Sequence, residues 1–302
     1  MGRLLCIGEC MIEMAQIGAG TYKRGFAGDT FNTAWYARQL LPKDWNVGYL
    51  SAIGDDAASQ EMRAFMSGEG VETSALRTVA DRTVGLYMIS TKAGERSFSY
   101  WRGQSAARLL AEDQNWLETQ VMSAGAIHFS GITLAILSPE HREILCQAVS
   151  RARDAGALVS FDTNLRPKLW KDQAEMKSGI TMGAKAASLV LPSFDEDAEL
   201  FGDKDPRDTI TRYQRLGPKR IVVKNGGDPV TIAEADGQTE TVEVKRASEM
   251  VDTTAAGDSF AAGLLAALVQ NAPLAEATAR ASALAAQVIQ APGALIPEIF
   301  QK

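Results

Sequence analysis

Strand-like and helix-like segments alternate along most of this chain, and that alternation constrains its fold more than any other feature. Apolar runs such as RLLCIGE (3–9) and KRIVVKNG (219–226) are typical of buried strands. Between such runs lie segments with helical periodicity, for example FNTAWYARQLL (31–41), which Pro42 ends. Alternating strands and helices predict βαβ units with right-handed crossovers. We therefore expect an α/β fold around a mostly parallel sheet.

Two stretches interrupt this alternation and predict a small separate sheet. Residues 83–101 read as two strands around a polar turn at Lys92 to Glu95, and residues 11–26 show a weaker version of the same pattern. A hairpin inserted in an α/β domain is either an oligomer edge or a lid over a site. Without a linker long enough to separate domains, we expect one domain over 1–302, with a lid from about 11–26 and 83–103.

Composition excludes several classes of partner. The net charge of -6 disfavours general binding to nucleic acid or to an anionic membrane, so an anionic ligand must be attracted by local cations. The three cysteines show no paired spacing, as expected in a reducing compartment. The longest apolar run (260–269) is about half of a membrane span. We expect a cytoplasmic protein.

The segment VDTTAAGDSF (251–260) is the strongest candidate for chemistry, since P-loop, dinucleotide, zinc-protease and hydrolase motifs are absent. A helix start favours anions, and the small residues at 255–257 would let a phosphate approach its N–H groups. Asp258 would then be a base beside that phosphate. The alternative is that Asp258 or Ser259 only caps the following helix.

A second candidate is RGFAGDTFNTA (24–34). Gly28 allows close approach of the backbone to a ligand, and Asp29 and Asn32 offer donors and acceptors suited to sugar hydroxyls. A plain turn with a helix cap at Asp29 or Thr30 is the alternative.

Two arginines stand in apolar or aromatic surroundings on different predicted loops. Arg102 follows the hairpin, and Arg166 follows a strand at the edge where parallel sheets form ligand crevices. Guanidinium groups bind carboxylates or phosphates through paired donors. For a single such arginine a surface ion pair is the favoured alternative, and two arginines on different predicted loops weaken it.

Two strand ends give weaker signals. VVKNGGDP (222–229) would line a nucleotide pocket or form an ordinary turn. LPSFDE (191–196) ends in Glu196, which would lie near a magnesium ion through water or would simply begin a solvated helix.

In this order along nearly the whole chain, these motifs resemble the ribokinase (PfkB) family of sugar kinases. The resemblance implies a three-layer α/β/α domain with a central mostly parallel sheet and a small β lid. DTTAAGDSF (252–260) is its most specific part. By resemblance Asp258 is the catalytic base, and the anion hole is formed by Ala255, Ala256 and Gly257. The family's N-x-x-E motif has Ser193 in place of asparagine but keeps Glu196.

Within the family, stretches such as GERSFSYWR (94–102) and FDTNLRPKLW (161–170) are similar to the branch that phosphorylates 2-keto-3-deoxygluconate. This resemblance implies a sugar-acid site of Gly28, Asp29, Asn32, Tyr87, Tyr100, Arg102, Arg166 and Asp258. It implies a nucleotide site of Asn164, Arg166, Ser193, Lys224, Gly226, Gly227, Asp228 and Gly257, with Glu196 contacting the metal indirectly. The implied cofactors are ATP and Mg²⁺, while K⁺ beside the helix start is left open.

The resemblance thus predicts ATP-dependent phosphorylation of the C6 hydroxyl of 2-keto-3-deoxygluconate, with Asp258 held ionised by the helix start. The alternatives are a kinase of the fructokinase or ribokinase type and a non-catalytic sugar-binding regulator. We also expect a homodimer or higher homo-oligomer through the lid sheet.

Overall fold

A nine-stranded sheet forms the centre of the protein, in a computed structural model that describes residues 2–92, 95–235 and 237–301. Seven neighbouring strands run parallel and two antiparallel strands extend one edge. Across the sheet the order is β13 (Thr239–Val242), β12 (Asp228–Ala233), β11 (Arg220–Asn225), β10 (Leu189–Leu191), β9 (Leu158–Asp162), β8 (Ala126–Ser130), β1 (Gly2–Ile7), β4 (Trp45–Ile53) and β5 (Leu76–Thr78). The predicted α/β class is confirmed.

Helices cover both faces of this sheet, because successive strand residues point to opposite sides. In β1, Leu4 and Cys6 join one apolar core, and Leu5 and Ile7 join the other. The first core packs under α1 (Asp29–Leu40), α2 (Ala57–Gly68), α9 (Ala256–Leu268) and α10 (Leu274–Val288). The second packs under α3 (Gln114–Met122), α4 (Gly131–Ile136), α5 (Pro139–Asp154), α6 (Gln173–Ala186), α7 (Phe194–Phe201) and α8 (Pro206–Gln214). The result is the expected three-layer arrangement.

The two interrupting stretches form a separate four-stranded sheet. Its order is β3 (Thr21–Ala27), β2 (Met11–Gly18), β6 (Gly85–Lys92) and β7 (Glu95–Trp101). The strands predicted in 11–26 and 83–101 are confirmed. Of the predicted polar turn, residues 93 and 94 lie outside the described residues. We call this sheet the lid sheet.

One edge of the central sheet collects the chain's polar motifs. β8 ends at Ser130, β9 ends at Asp162, and Lys224 lies near the end of β11. Helices α1 and α9 also begin at this edge, where Asn32 of α1 contacts Asp258 of α9. The carboxyl ends of parallel strands form ligand crevices in such folds. No helix among the described residues is long and apolar enough to cross a membrane.

Close packing of α9 on α10 generates a stability prediction. A Cβ on Gly263 would lie 3.0 Å from the Ala281 Cα, so there is no room for a side chain. We expect Gly263→Val to lower the free energy of unfolding by about 1–3 kcal/mol in urea titrations, through forced separation of the helices. Gly68→Ala is the control, since a Cβ there meets no atom within 4 Å and alanine favours helix. Equal stability of the two variants would contradict the packing argument.

Candidate active site

A cavity of about 1130 Å³ lies between the carboxyl edge of the central sheet and the lid sheet. Pockets for one small ligand measure roughly 300–1000 Å³, so this cavity has room for two. Most of the residues predicted for the site line it: Gly28, Asp29, Asn32, Tyr87, Tyr100, Arg102, Asn164, Arg166, Ser193, Glu196, Lys224, Ala255, Ala256, Gly257 and Asp258. Residues from both halves of the chain therefore meet in one space.

The start of α9 forms one wall of the cavity. Ala255 precedes the helix in the left-handed conformation (φ 60°) and makes no side-chain cap. The Asp258 carboxyl accepts a hydrogen bond from Asn32 Nδ2 at 2.8 Å, and the Ser259 hydroxyl donates to the Ala256 carbonyl. The Ala256 N–H donates to the Thr253 carbonyl at 3.2 Å. Since neither side chain caps the helix, the following N–H groups, of Gly257 and Asp258, can bind an anion.

The two aspartates of this segment have different roles. Asp252 is buried; its Oδ1 accepts from the Thr254 backbone N–H at 3.0 Å and its Oδ2 from that of Gly293 at 2.7 Å. Asp252 therefore holds the loop before α9, whereas Asp258 faces the cavity.

The glycine of the second motif is required by close backbone approach. Gly28 has extended backbone angles, and a Cβ there would lie 2.1 Å from the Glu9 carbonyl oxygen. Its N–H donates to Asn32 Oδ1 at 3.3 Å. Both ends of the Asn32 amide are thus engaged, with Gly28 and Asp258, so Asn32 positions the aspartate as well as lining the cavity.

Asp29 connects α1 to two other parts of the site. Its Oδ2 accepts from the Ser130 hydroxyl at 2.6 Å and from Asn164 Nδ2 at 2.9 Å. Asn164, predicted for the nucleotide side, is therefore also in contact with the sugar motif.

The cavity lining also contains an ion pair that the sequence did not predict. Lys224 Nζ lies 2.9 Å and 3.0 Å from the two carboxylate oxygens of Asp162. A Cβ on Gly257 would lie 3.7 Å from the same Nζ, so the lysine stands beside the start of α9. The position of Asp162 at the end of a buried strand is the signal that would have found it.

Three carboxyl groups share this part of the cavity, and their proximity changes their ionisation. Burial and the negative charge of Asp29 raise the pKa of Asp258 to about 7, with Asn32 opposing the shift. Burial also raises the pKa of Asp29, although hydrogen bonds from Ser130 and the Thr30 backbone oppose this. The expectation that the helix start holds Asp258 ionised is therefore wrong, because desolvation and like charge outweigh the helix dipole.

Both predicted arginines reach the cavity already paired with carboxylates. Arg102 Nη2 forms an ion pair with Glu9, and Arg166 Nη1 lies 3.1 Å from Glu196 Oε1. Glu196 also accepts from the Leu165 N–H at 3.2 Å, so it anchors the loop that carries Arg166.

The lid sheet adds aromatic side chains. Tyr87 and Tyr100 have ring centroids 5.9 Å apart, and Phe98 stacks against Tyr100 at 6.3 Å. Tyr87 lines the cavity, and its hydroxyl donates to Glu13.

Some predicted residues lie elsewhere. Gly226, Gly227 and Asp228 are at the turn between β11 and β12 and are not among the residues that line the cavity. In the part of the chain that the structure describes, no group of three or more acidic, histidine or cysteine residues could hold a metal ion.

Other lining residues were not predicted. They are Met11, Ser97, Phe98, Ile132, Asp162, Pro167, Lys168, Leu169, Thr253, Thr254 and Ala294. Apart from Asp162, most are apolar or lie beside a predicted residue, and adjacency to the motifs is the signal that could have found them.

The raised pKa of Asp258 predicts how stability depends on pH. Because the folded pKa (about 7) exceeds the ordinary value of 3.8, the folded protein binds more protons between these values and loses stability as pH rises through them. Asp258→Asn removes this loss. The measured quantity is the free energy of unfolding of the variant minus that of wild type, from urea titrations. We expect this difference to be larger at about pH 8 than at about pH 5. The exposed Asp44→Asn serves as control, and an unchanged difference for Asp258→Asn would contradict the pKa assignment.

Comparison with known proteins agrees with this architecture. Residues 1–299 match the family described as pfkB family carbohydrate kinase. Among solved structures, a PfkB protein from Polaromonas sp. JS666 has a TM-score of 0.85 at 27% identity, covering 99% of this chain and 98% of that chain. An aminoimidazole riboside kinase from Salmonella enterica, complexed with aminoimidazole riboside and an ATP analog, has a TM-score of 0.83 at 27% identity, with 99% and 98% covered.

Closer in sequence are proteins named 2-dehydro-3-deoxygluconokinase. The protein of that name from Escherichia coli (strain K12) is 39% identical, over 98% of this chain and 97% of its own length. Its namesake from Dickeya dadantii (strain 3937) is 37% identical, over 96% of each chain. With the matching family model, the shared fold and a cavity built from that family's motifs, the chain belongs to the pfkB family of carbohydrate kinases.

Proposed function

We propose that this protein transfers the terminal phosphoryl group of ATP to the C6 hydroxyl of 2-keto-3-deoxygluconate (also called 2-dehydro-3-deoxygluconate), giving 2-keto-3-deoxy-6-phosphogluconate and ADP. The observation that carries the proposal is one cavity in which Asp258, at the start of α9, is combined with two arginines. The names of relatives at 37–39% identity support this substrate.

Asp258 is the proposed base. As the C6 oxygen bonds to phosphorus and the bond to the leaving ADP oxygen breaks, the hydroxyl proton passes to an Asp258 oxygen. A carboxylate with a pKa of about 7 is matched to this role near neutral pH. Asn32 holds the carboxylate by its 2.8 Å hydrogen bond, which limits its freedom to turn away from the substrate.

The start of α9 would stabilise the charge on the transferred group. Phosphoryl transfer passes through a loose transition state, so positioning and electrostatic stabilisation dominate over base strength. The N–H groups of Gly257 and Asp258 offer donors at the positive end of the helix dipole, and the small residues 255–257 place no bulky side chain in front of them. Lys224, held by Asp162, adds a cation beside the same helix start.

The arginines would recognise the substrate carboxylate, and Arg166 would also reach the phosphates. Arg166 is about half exposed, on the loop that also carries Asn164. The lid tyrosines Tyr87 and Tyr100 would cover the sugar and exclude water from the transferring phosphoryl group.

Magnesium fits this site only as an ion carried by the nucleotide. Glu196 is engaged with Arg166 and Leu165, and the described residues hold no metal cage, so a water-mediated contact to Glu196 is the arrangement that suits Mg²⁺. When bound, the ion would neutralise phosphate charge. Contacts of Gly226, Gly227 and Asp228 with the nucleotide stay predictions, as does a need for K⁺.

A kinase for a neutral sugar is a second candidate, favoured by a specific observation. Both cavity arginines already have carboxylate partners, Glu9 and Glu196, which reduces the positive charge available to an acid. A relative at 28% identity from Arabidopsis thaliana is named probable fructokinase-7.

Assembly, domain organisation and location also stay proposals. The lid sheet has β7 at its edge, with Tyr100 53% and Trp101 59% exposed, which suits pairing with a second copy in a homodimer. We treat residues 1–302 as one domain with this lid, and place the protein in the cytoplasm.

Removal of the proposed base tests the mechanism. We expect Asp258→Asn to lower kcat by roughly 10²–10⁴-fold with little change in substrate binding, because the amide cannot accept the proton. In wild type, kcat should fall as pH drops below about 7, since Asp258 is then protonated. Coupled ADP detection and calorimetric binding measure the two effects. Near-full activity in Asp258→Asn, with Asp44→Asn as control, would remove Asp258 from the mechanism.

A substrate panel separates the two candidate functions. We expect ATP turnover with 2-keto-3-deoxygluconate to exceed turnover with fructose or ribose. Arg102→Ala and Arg166→Ala should each raise the KM for the acid by roughly 10–100-fold, through loss of charge-assisted hydrogen bonds, and affect a neutral sugar less. Equal losses for both classes of sugar would count against carboxylate recognition.

A further inference from the structure

Glu9 is a buried carboxylate that the proposed reaction does not use. It follows β1, is 1% exposed, and does not line the cavity. A buried carboxylate is costly unless it is paired and hydrogen-bonded. Its neighbours should therefore explain its presence.

The Glu9 carboxylate contacts the segment that leaves the lid sheet. One oxygen accepts a hydrogen bond from the Ser105 hydroxyl, and the other forms an ion pair with Arg102 Nη2. Gly85, the first residue of β6, lies against this ion pair. A Cβ on Gly85 would lie 2.9 Å from Glu9 Oε1 and 3.3 Å from the Arg102 Cβ, so the glycine leaves the space that the pair occupies.

Arg102 is in turn held by little else. Its side chain is 10% exposed, and among the described residues neither its Nε nor its Nη2 makes a hydrogen bond, so the ion pair with Glu9 Oε2 is a close charge contact. Glu9 thus contacts the Nη2 end of a planar group that carries five N–H donors, and holds that end by charge. The guanidinium also lies close enough to Asp29 to oppose the rise in that carboxyl's pKa, which burial mainly causes.

We propose that Glu9 is a positioning residue that aims the Arg102 guanidinium at the substrate carboxylate. The inference rests on the proposed sugar-acid substrate and adds a determinant outside the cavity. Glu9 acts through geometry: one oxygen accepts a hydrogen bond from Ser105, the other holds Arg102 by an ion pair, and their spacing sets where Arg102 lies. A misplacement of about 1 Å at a binding group is enough to weaken catalysis by up to about 100-fold.

Two conservative variants separate geometry from charge. Glu9→Gln keeps the length of the side chain, so that its oxygen can face Arg102 while its amide N–H donates to the Ser105 oxygen, without the negative charge. In Glu9→Asp the charge persists but the side chain is one methylene shorter and cannot hold both groups in place. Positioning therefore predicts that Asp is the more harmful replacement.

The experiment compares KM and kcat of the full-length variants for 2-keto-3-deoxygluconate and for ATP. We expect Glu9→Asp to raise the KM for the sugar acid at least ~10-fold with the KM for ATP within ~2-fold of wild type, and Glu9→Gln to stay within ~3-fold for both. Glu72→Asp and Glu72→Gln are matched controls, because Glu72 pairs with Arg3 at 3.1 Å outside the cavity lining. Both controls should leave both KM values unchanged.

Three outcomes would overturn the inference. A larger loss in Glu9→Gln than in Glu9→Asp would assign the effect to charge. Parallel changes in both KM values would assign it to general structure, and unchanged values in both variants would leave Glu9 without a role. Wild-type enzyme is assayed first, since lack of turnover with the sugar acid counts against the proposed function, whereas the variant comparison in an active enzyme judges the inference alone.

Discussion

The hydrogen bond from Asn32 to Asp258 joins the two motifs on which the site depends. The residues are 226 positions apart, yet they meet because α1 and α9 lie in the same layer and begin at the same edge of the sheet. Asn32 also accepts from the Gly28 N–H, so one amide links the backbone of the sugar motif to the proposed base. Any displacement of either helix would separate the proposed sugar-binding residues from the proposed base.

The short distances between these parts of the chain also change the ionisation of the carboxyl groups in the cavity. Asp29, Asp162 and Asp258 lie near one another, and Lys224 pairs with Asp162. The arrangement leaves Asp258 with a raised pKa, at a cost to stability that a sequence selected only for folding would avoid. Such a strained electrostatic cluster is typical of active sites. The raised pKa makes Asp258 a stronger base than an ordinary carboxylate.

Much of the fold could be predicted because its signals are local. The alternation of strands and helices, the end of α1 before Pro42 and the two lid hairpins each follow from a few neighbouring residues. The site was predicted less fully. Glu9 was missed because it is recognisable only through Arg102, far along the chain. Asp162 stands at a strand end, but its pairing with Lys224 joins residues that are also remote in sequence. The prediction that Asp258 is held ionised was wrong for the same reason, since Asp29, which helps to raise its pKa, is near in space but remote in sequence.

The loop after β9 shows how the rest of the fold supports such a site. Asn164 (φ 30°) and Arg166 (φ 46°) both adopt left-handed backbone conformations, which cost about 1–3 kcal/mol each for residues other than glycine. Surrounding contacts must offset that cost. The Thr163 hydroxyl, between β9 and Asn164, donates to the buried Asp197 at 3.1 Å. The Thr163 carbonyl packs against Gly131, where a Cβ would lie only 2.0 Å from the carbonyl oxygen. Held in this way, the loop presents its amide and guanidinium to the cavity before any ligand binds, so that less conformational entropy is lost on binding.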